Sequence, residues 1–433
     1  MNKPLTLTLL SLFYIIPNLL MAADHYVRAG ATGSNDGSDW NNAWISLPAS
    51  LVRGETFYVA DGNYPDYTFD DVESGSDHIY IKKATASDHG TDTGWNSSYG
   101  DDKANFGVFT FLSGYYEIDG QVGGGPTSWK QGHGFKIKAA SANQKVVRFD
   151  NAASHISLKH CELEHRGLNT GTSDDGVYGF NASSITISHC YLHDFGRVPF
   201  LWRNWSNVTI EYCYIARNTS TPAQHAEGLS DSGSDNVIIR YNIWSEIQGT
   251  AFIVGLESAG LAANWEIYGN VFSRGDVAGV IQVLNDASNS AIAENWKIYN
   301  NTMVNIGGLW SGFRFDAGSN NAAYNNLWYN CVRTAHSGVS ISHSWYYNTQ
   351  NDGDNTDVQF GMGDPFVNLA NENFHLSFAT QNGYHLSSPY NVDADGNIRG
   401  ADTVWDLGAF EYGSGGGSQR PPAPRDLTIT VVP

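Results

Sequence analysis

Residues that can transfer protons are concentrated between positions 174 and 232 of this 433-residue chain. Segment 217–228 is the longest insertion between neighbouring strand-like stretches, and it carries His225 and Glu227. Asp231 follows this insertion, and Asp175 lies in an earlier stretch of the same kind. Because histidine and carboxylate side chains are the usual general acids and bases, we predict that His225, Glu227, Asp231 and Asp175 are catalytic.

The same region offers residues that could hold a substrate. Trp202, Trp205 and Tyr178 could stack on sugar rings, and Arg203 could form a bidentate pair with a carboxylate. We therefore predict that these four residues bind substrate. Two simpler interpretations stay open: the tryptophans could be core residues, and polar loop residues often only satisfy turn backbones.

Strand periodicity bears on the acidic residues. If Leu229 points inward, Glu227 and Asp231 share its parity and Ser230 faces outward. The side chain of Glu227 can face outward only if Glu227 lies in the turn before the strand, which the adjacent Gly228 permits.

The elements that position these residues are repeats. A short alternating motif ends in Cys161, Cys190, Cys213, Asn242, Asn270, Asn301, Asn326 and Asn348, at spacings of 29, 23, 29, 28, 31, 25 and 22 residues. A propeller blade needs about 40 residues, and the leucine-rich consensus is absent. Three short strands and three turns fit each interval, so the repeats predict an all-β fold, a parallel β-helix.

The residue that ends each motif has a structural explanation. We expect the asparagines to stack from coil to coil, bonding through their amides and accepting left-handed backbone geometry. Cys161, Cys190 and Cys213 occupy the same position, so we interpret them as buried thiols; a disulfide between neighbouring coils would be strained.

The composition and the N-terminal sequence indicate which binding partners and which cellular location to expect. Charged residues make up 16% of the chain, and the formal net charge is −20. The chain is therefore a poor candidate for binding nucleic acid. Because 41% of the residues are hydrophobic, disorder of the whole chain is excluded. Residues 1–23 read as a secretory signal peptide, which predicts a secreted, periplasmic or cell-surface protein without a transmembrane segment in its mature chain. We expect a monomer.

The chain resembles the right-handed parallel β-helix proteins of the pectate-lyase-like superfamily. Residues 26–64 are similar to their opening cap and first coil, the Asn-ended repeats to their coils, and 363–412 to their closing segment. We thus divide the chain into a signal peptide (1–23), a β-helix with cap and closing segment (24–413), and a linker with a short tail (414–433). The resemblance implies a secreted polysaccharide lyase or glycoside hydrolase acting along the β-helix face; the alternative is a non-catalytic glycan-binding or matrix protein.

A local similarity to the alginate-lyase and chondroitinase-B-like family implies a possible Ca²⁺ cofactor. In that family two acids, one position apart, bind Ca²⁺; Glu227 matches the second acid and His225 stands in place of the first. Ser232 stands where the family has a lysine base, and segment 250–256 has no arginine. Hydrolysis would instead need two carboxylates about 5–9.5 Å apart. A second cluster, Arg314 with Asp316, is more typical of a surface ion pair.

Overall fold

The computed structural model describes residues 23–126, 128–150, 153–221, 226–255, 260–275, 279–286, 288–308, 312–353 and 356–413. Three long parallel sheets run side by side through most of this range, and each coil of the chain adds one strand to each sheet in turn. Strands are numbered in chain order. Among the described residues, no helix is long and apolar enough to cross a membrane. The predicted signal peptide and the tail at 414–433 lie outside the described residues, apart from Ala23.

The first sheet comprises Asp24–Val27 (β1), Thr56–Val59 (β2), Ile79–Lys83 (β5), Tyr116–Asp119 (β8), Ser154–Lys159 (β11), Ser183–Ser188 (β14), Ser206–Glu211 (β17), Asp235–Arg240 (β20), Trp265–Tyr268 (β24), Lys297–Tyr299 (β28), Ala322–Tyr324 (β32) and Ser340–Ser342 (β35). The second sheet comprises Gly62–Tyr64 (β3), Ala104–Phe106 (β6), Phe135–Lys138 (β9), Cys161–Glu164 (β12), Tyr191–Phe195 (β15), Tyr214–Asn218 (β18), Ile243–Ile247 (β21), Val271–Ser273 (β25), Thr302–Val304 (β29), Leu327–Tyr329 (β33), Trp345–Tyr347 (β36) and Gln359–Phe360 (β38).

The third sheet comprises Tyr67–Phe69 (β4), Phe109–Phe111 (β7), Lys145–Phe149 (β10), Asp175–Phe180 (β13), Phe200–Arg203 (β16), Leu229–Ser232 (β19), Phe252–Val254 (β22), Ile281–Val283 (β26) and Phe313–Phe315 (β30). Smaller sheets contain Leu261–Ala263 (β23), Ile292–Glu294 (β27) and Gly318–Ser319 (β31); Arg333–Ala335 (β34) and Gln350–Asp352 (β37); and the antiparallel pair Phe366–Asn368 (β39) and Asn373–Leu376 (β40). Short 3₁₀ turns lie at Ser97–Tyr99 and Leu369–Asn371.

The turn between the first and second sheets differs from the sequence prediction by one residue. In the first seven motifs the left-handed position is the residue before the motif end, for example His160, Tyr241 and Asn300, with φ of 56°, 57° and 53°. The motif-ending Cys or Asn comes next and points into the solenoid. The eighth motif end, Asn348, is instead left-handed itself, with a φ of 44°, and is exposed. In the earlier coils large rings hold the left-handed position, and these rings stack from coil to coil, as with His189 and Tyr212 at 5.0 Å between centroids. This stacking offsets the usual cost of a left-handed bulky residue.

The predicted asparagine stack is present inside the solenoid. The side-chain amide of Asn242 donates to Oδ1 of Asn270 at 3.0 Å, and the amide of Asn270 donates to Oδ1 of Asn301 at 3.0 Å. Asn301 and Asn326 continue the ladder at 3.2 Å. Cys213 occupies the equivalent position, since its backbone N–H donates to Asn242 Oδ1 at 2.9 Å. All four cysteines are buried and free.

The closing segment (residues 363–412) packs along the outer face of the second sheet. Phe366, Phe374, Tyr390 and Phe410 are buried with outward-facing residues of β18 to β36, such as Tyr214. Glu372 holds the first part of this segment against the second sheet: its carboxylate accepts from the Tyr214 hydroxyl at 2.9 and 2.8 Å and pairs with Lys130 and Arg274. Part of one long face is therefore covered, and the third sheet stays open.

The anchor of the closing segment is a group of buried carboxyl groups. Glu411, Asp406 and Asp393 are buried, and the guanidinium of Arg399 lies 3.5 Å from Glu411 and donates to the backbone carbonyl of Asp406. Glu411 Oε1 accepts from the Gly400 backbone N–H at 2.6 Å. Burial raises the pKa of Glu411 to about 7. The Asp393 carboxylate accepts backbone N–H groups of Asp395 and Asn397, so the Asp393–Asn397 loop has a structural role.

The raised pKa of Glu411 predicts how stability depends on pH. The folded state holds this proton more tightly than the unfolded chain, so the stabilising contribution is complete below the unfolded pKa and is lost as pH rises through about 7. We expect the contribution of Glu411 to the free energy of unfolding to fall by roughly 3 kcal/mol between pH 4.5 and 8. Denaturant unfolding across this range measures the effect, and Glu411→Gln should flatten this part of the profile. An unchanged pH slope in that variant would contradict the assignment.

Candidate functional site

The outer face of the third sheet carries a ladder of basic and aromatic side chains. Thr110, Arg148, Tyr178, Leu201 and Ser230 lie in register on β7, β10, β13, β16 and β19. Two residues further along the strands, Phe180 of β13 lies beside Arg203 of β16. Neighbouring rungs are about 4.8 Å apart, so these side chains form a continuous surface.

Tyr178 lies at the centre of this surface. Its ring is partly buried, packs edge-on against Phe180 at 5.1 Å, and has the Lys145 ammonium 5.1 Å from its centroid. Burial raises the pKa of Tyr178, although the nearby guanidinium groups of Arg148, Arg197 and Arg203 act in the opposite direction. The phenol is therefore protonated at neutral pH and can donate a proton.

A groove of about 290 Å³ opens beside Tyr178. Its walls are formed by Val108, Thr110, Asn143, Gln144, Lys145, Arg148 and Tyr178. Arg148 is exposed and also pairs with Asp150 at 2.9 Å. The guanidinium of Arg203 lies 5.2 Å from the Phe180 ring centroid. Cations and flat rings together suit an anionic sugar, because guanidinium binds carboxylate and aromatic faces stack on rings.

Asp175 is at the edge of this surface but is not an open acid or base. Its carboxylate is fully buried and accepts from Arg197 at 2.6 and 2.5 Å and from Lys145 at 2.6 Å. Both oxygens are thus held by cations. In this structure Asp175 pairs with Lys145 and Arg197 at the edge of the Tyr178 surface; its catalytic role stays a prediction.

Asp231 faces the interior, as the alternation with Leu229 indicated. Its carboxylate accepts from the backbone N–H of Ser234 at 3.0 Å and from the Ser234 hydroxyl. Burial raises the pKa of Asp231 to about 6. The carboxyl group is buried away from the outer face and stabilises the turn after β19; the catalytic role of Asp231 stays a prediction.

Trp202 and Trp205 are also inside the solenoid. Both indoles are buried, and their rings stack on each other at 4.8 Å. Trp202 shares the inward parity of Phe200. Neither ring can reach a glycan on the outside, so the predicted stacking role is corrected to core packing, the simpler interpretation that the sequence had left open.

The remaining predicted residues are placed differently. Glu227 is buried two residues before β19 begins, and its backbone carbonyl accepts from the side-chain amide of Asn218 at 2.7 Å. His225 lies outside the described residues. Of the eight predicted residues, Tyr178 and Arg203 are therefore brought together on the open face, with Asp175 beneath their edge.

A second charged cluster lies on the outer face of the second sheet. Glu162, Glu164 and His193 have ligand atoms within 4.8 Å of one another. His193 also bonds to Asp194 through Nδ1 at 2.7 Å, which fixes the orientation of its ring. Among the described residues, this is the group of His, Cys, Asp and Glu side chains that lie close enough together to share a metal ion.

The donor set of this second cluster does not fit Ca²⁺. Calcium takes six to eight oxygen ligands, whereas the cluster offers two carboxylates and an imidazole. Three ammonium groups, from Lys103, Lys136 and Lys138, already pair with the two carboxylates. Burial acts to raise the pKa of Glu162, but its hydrogen bonds with His193, Lys103 and Lys136 outweigh burial and hold this pKa well below its usual range. We derive no metal-dependent step from this cluster.

Comparison with known proteins agrees with the observed fold. Residues 131–296 match the model of the family described as right handed beta helix region. The chain is similar to the crystal structure of pectate lyase Pel9A, with a TM-score of 0.52, 14% identity, and coverage of 90% of this chain and 97% of that one. No curated protein sequence matches the chain.

Two further solved structures are more distant. A mannuronic acid specific polysaccharide family 6 lyase from human gut microbiota has 12% identity and a TM-score of 0.41, covering 72% of this chain and 78% of that one. XylC, solved with xylose, has 8% identity and a TM-score of 0.42, covering 79% and 87%.

These findings define the class of protein. The chain is a right-handed parallel β-helix, as its three parallel sheets and the matched family model show. The likeness to pectate lyase Pel9A is a likeness of fold.

Proposed function

We propose that this protein is a secreted enzyme that degrades an extended acidic polysaccharide lying across the outer face of the third sheet. The observation that carries the proposal is the ladder around Tyr178. Arg148, Arg203 and Lys145 place positive charge on an open face of a chain whose net charge is −20. A polyanion needs such a local basic surface, because the rest of the protein repels it.

The chemistry of this face favours a lyase over a glycoside hydrolase. Elimination needs the uronate carboxylate to be neutralised, and Arg148 and Arg203 can supply this charge. Hydrolysis needs two carboxylates on either side of the scissile bond. At this face Asp175 and Asp150 are instead paired with cations. Elimination breaks the C5–H bond and the bond to the glycosidic oxygen. The C5 proton would pass to a solvent base, while the protonated phenol of Tyr178 would give its proton to the departing oxygen and regain one from solvent.

The test is product formation from a panel of glycans. Purified protein is incubated with pectate, alginate, chondroitin and hyaluronan, and with neutral xylan and mannan. We expect the ultraviolet absorbance of unsaturated uronates to rise with an acidic polymer and not with the neutral ones. Tyr178→Phe should lower the rate at least 100-fold while polymer binding changes less than about 3-fold, because the ring and its cations stay in place. An increase in reducing ends without ultraviolet absorbance would contradict elimination.

A second candidate function is non-catalytic binding of an acidic glycan. It is favoured by the pairing of Asp175 and Asp150 with cations at this face, which leaves binding groups more prominent than proton-transfer groups. Binding of acidic polymers without any product, unchanged in Tyr178→Phe, would support this second function over the first.

A further inference from the structure

The last coil of the solenoid is less well covered than the coils before it. Ile239, Ile267, Ile298, Ala323 and Ile341 form one inward-facing column of the first sheet. The first four are fully buried, whereas Ile341 on β35 is only partly buried. Val339 and Val358, which also pack against the core, are partly buried as well. The core therefore comes to the surface at this end.

The same end carries the most exposed apolar side chains of the later coils. Phe360 on β38 is 70% exposed, and Met362 is 96% exposed. β35 and β38 are the final strands of the first and second sheets among the described residues. Open strand edges next to apolar surface invite pairing with another strand, and the ends of solenoids need a cover.

The closing segment does not supply this cover, because it packs along the side of the second sheet. Its last residues nevertheless lie close to the open end. A chain of hydrogen bonds connects Tyr412 to β38. The backbone N–H of Tyr412 donates to the carboxylate of Asp406, which also accepts from the backbone N–H of Thr380. The residue after Thr380, Gln381, donates its backbone N–H to the side chain of Gln359 on β38. With links of 2.9, 2.6 and 3.1 Å, this path spans at most about 20 Å.

The sequence beyond this point contains a strand-like stretch. Residues 426–432 read Asp-Leu-Thr-Ile-Thr-Val-Val, with Leu427, Ile429 and Val431 alternating with threonines. This is the pattern of a strand with one apolar face. The intervening 414–425 stretch can span about 40 Å when extended, which is enough to reach β35 or β38.

We propose that residues 427–432 dock on the open end of the solenoid as an added strand. Their backbone would pair with the free edge of β35 or β38, in the manner of strand addition. Leu427, Ile429 and Val431 would face Ile341, Val358 and Phe360, and Thr428 and Thr430 would face solvent. The tail would then cap the core and block end-to-end association with a second copy of the chain.

Hydrogen–deuterium exchange tests this inference on four proteins: the full chain, a chain ending at Gly413, and the double variants Ile429→Asp/Val431→Asp and Thr428→Asp/Thr430→Asp. The readout is the exchange rate of peptides that cover residues 340–342 and 358–362. We expect at least 10-fold faster exchange in the shortened chain and in Ile429→Asp/Val431→Asp. The threonine variant, which adds the same charge on the opposite face, should match the full chain at every protein concentration.

Two results would overturn the inference. Equal exchange in all four proteins would mean that the tail does not cover the end. Protection that survives removal of the tail and increases with protein concentration would assign the end to a second copy of the chain. The Ile429→Asp/Val431→Asp variant keeps the full length, so the test remains decisive if the shortened chain folds poorly.

Discussion

Replacing Arg148 and Arg203 together with glutamine is expected to weaken binding of an acidic polysaccharide about 30-fold. The two guanidinium groups lie on β10 and β16, the two strands that flank β13, so they are on either side of Tyr178 across the strands of the third sheet. Each carboxylate contact on such a partly exposed surface contributes roughly 1 kcal/mol, and about 2 kcal/mol corresponds to the stated factor. Titration calorimetry with a uronate oligosaccharide measures the loss directly.

Arg314→Gln is the matched control for this variant. Arg314 lies on the same outer face and in the same register column, but five strands from Tyr178, where it pairs with Asp316 at 2.7 Å. It removes the same kind of charge about 24 Å away and should change affinity less than about 3-fold. An equal loss of binding free energy per removed charge in both variants would mean that binding follows overall charge and not the Tyr178 surface.

Asn270→Ala is expected to lower the free energy of unfolding by about 4 kcal/mol. Oδ1 of Asn270 accepts from both the backbone and the side-chain amide of Asn242, each at 3.0 Å. Its own amide donates to the carbonyl of Ile239 at 2.8 Å and to Asn301. Each buried group left without a partner costs about 1–3 kcal/mol, and several lose their partner at once. Denaturant unfolding followed by circular dichroism measures the change.

Asn264→Ala is the control for the ladder variant. Asn264 is exposed, has a φ of 59°, and forms a parallel surface ladder with Asn236 and Asn295. Its amide bonds compete with water, so we expect a loss of at most about 1 kcal/mol, mainly from the left-handed backbone. If Asn264→Ala destabilised the protein as much as Asn270→Ala, the internal ladder would not be the main stabilising element of the coils.

The solenoid could be predicted because each coil repeats a short pattern. The spacing of the Cys and Asn positions fixed both the coil length and the stacking of Asn242, Asn270 and Asn301, which the structure confirms. The left-handed residue was placed one position too late. A repeat shows which positions are equivalent, but it does not show which of them has the left-handed backbone. Asn is acceptable both at a left-handed turn position and at the inward-pointing position of the ladder.

The candidate site was only partly predictable for a similar reason. Trp202 and Asp231 were included in the predicted site, although the sequence left a core role open for Trp202 and gave Asp231 the inward parity of Leu229. A bulky or charged residue at an inward position is hard to recognise when its partner, such as Ser234, comes after the strand. The cations around Tyr178 were missed because Lys145 and Arg197 belong to different coils, and their meeting at Asp175 depends on register.

One signal in the sequence could have revealed the second charged cluster. Glu164 and His193 each follow a motif-ending cysteine, Cys161 or Cys190, by three residues. Equivalent positions in neighbouring coils are adjacent, and the structure pairs these two residues directly. The location of the closing segment had no such signal, because it depends on long-range contacts such as Glu372 with Tyr214.

A crystal structure with a uronate oligosaccharide tests the central claim most directly. The account predicts density across the outer face of the third sheet, with a carboxylate within hydrogen-bonding distance of Arg148 or Arg203 and a sugar ring beside Tyr178. Density on the second sheet, beside Glu162, His193 and Lys138, with the Tyr178 surface empty at saturating ligand, would contradict it.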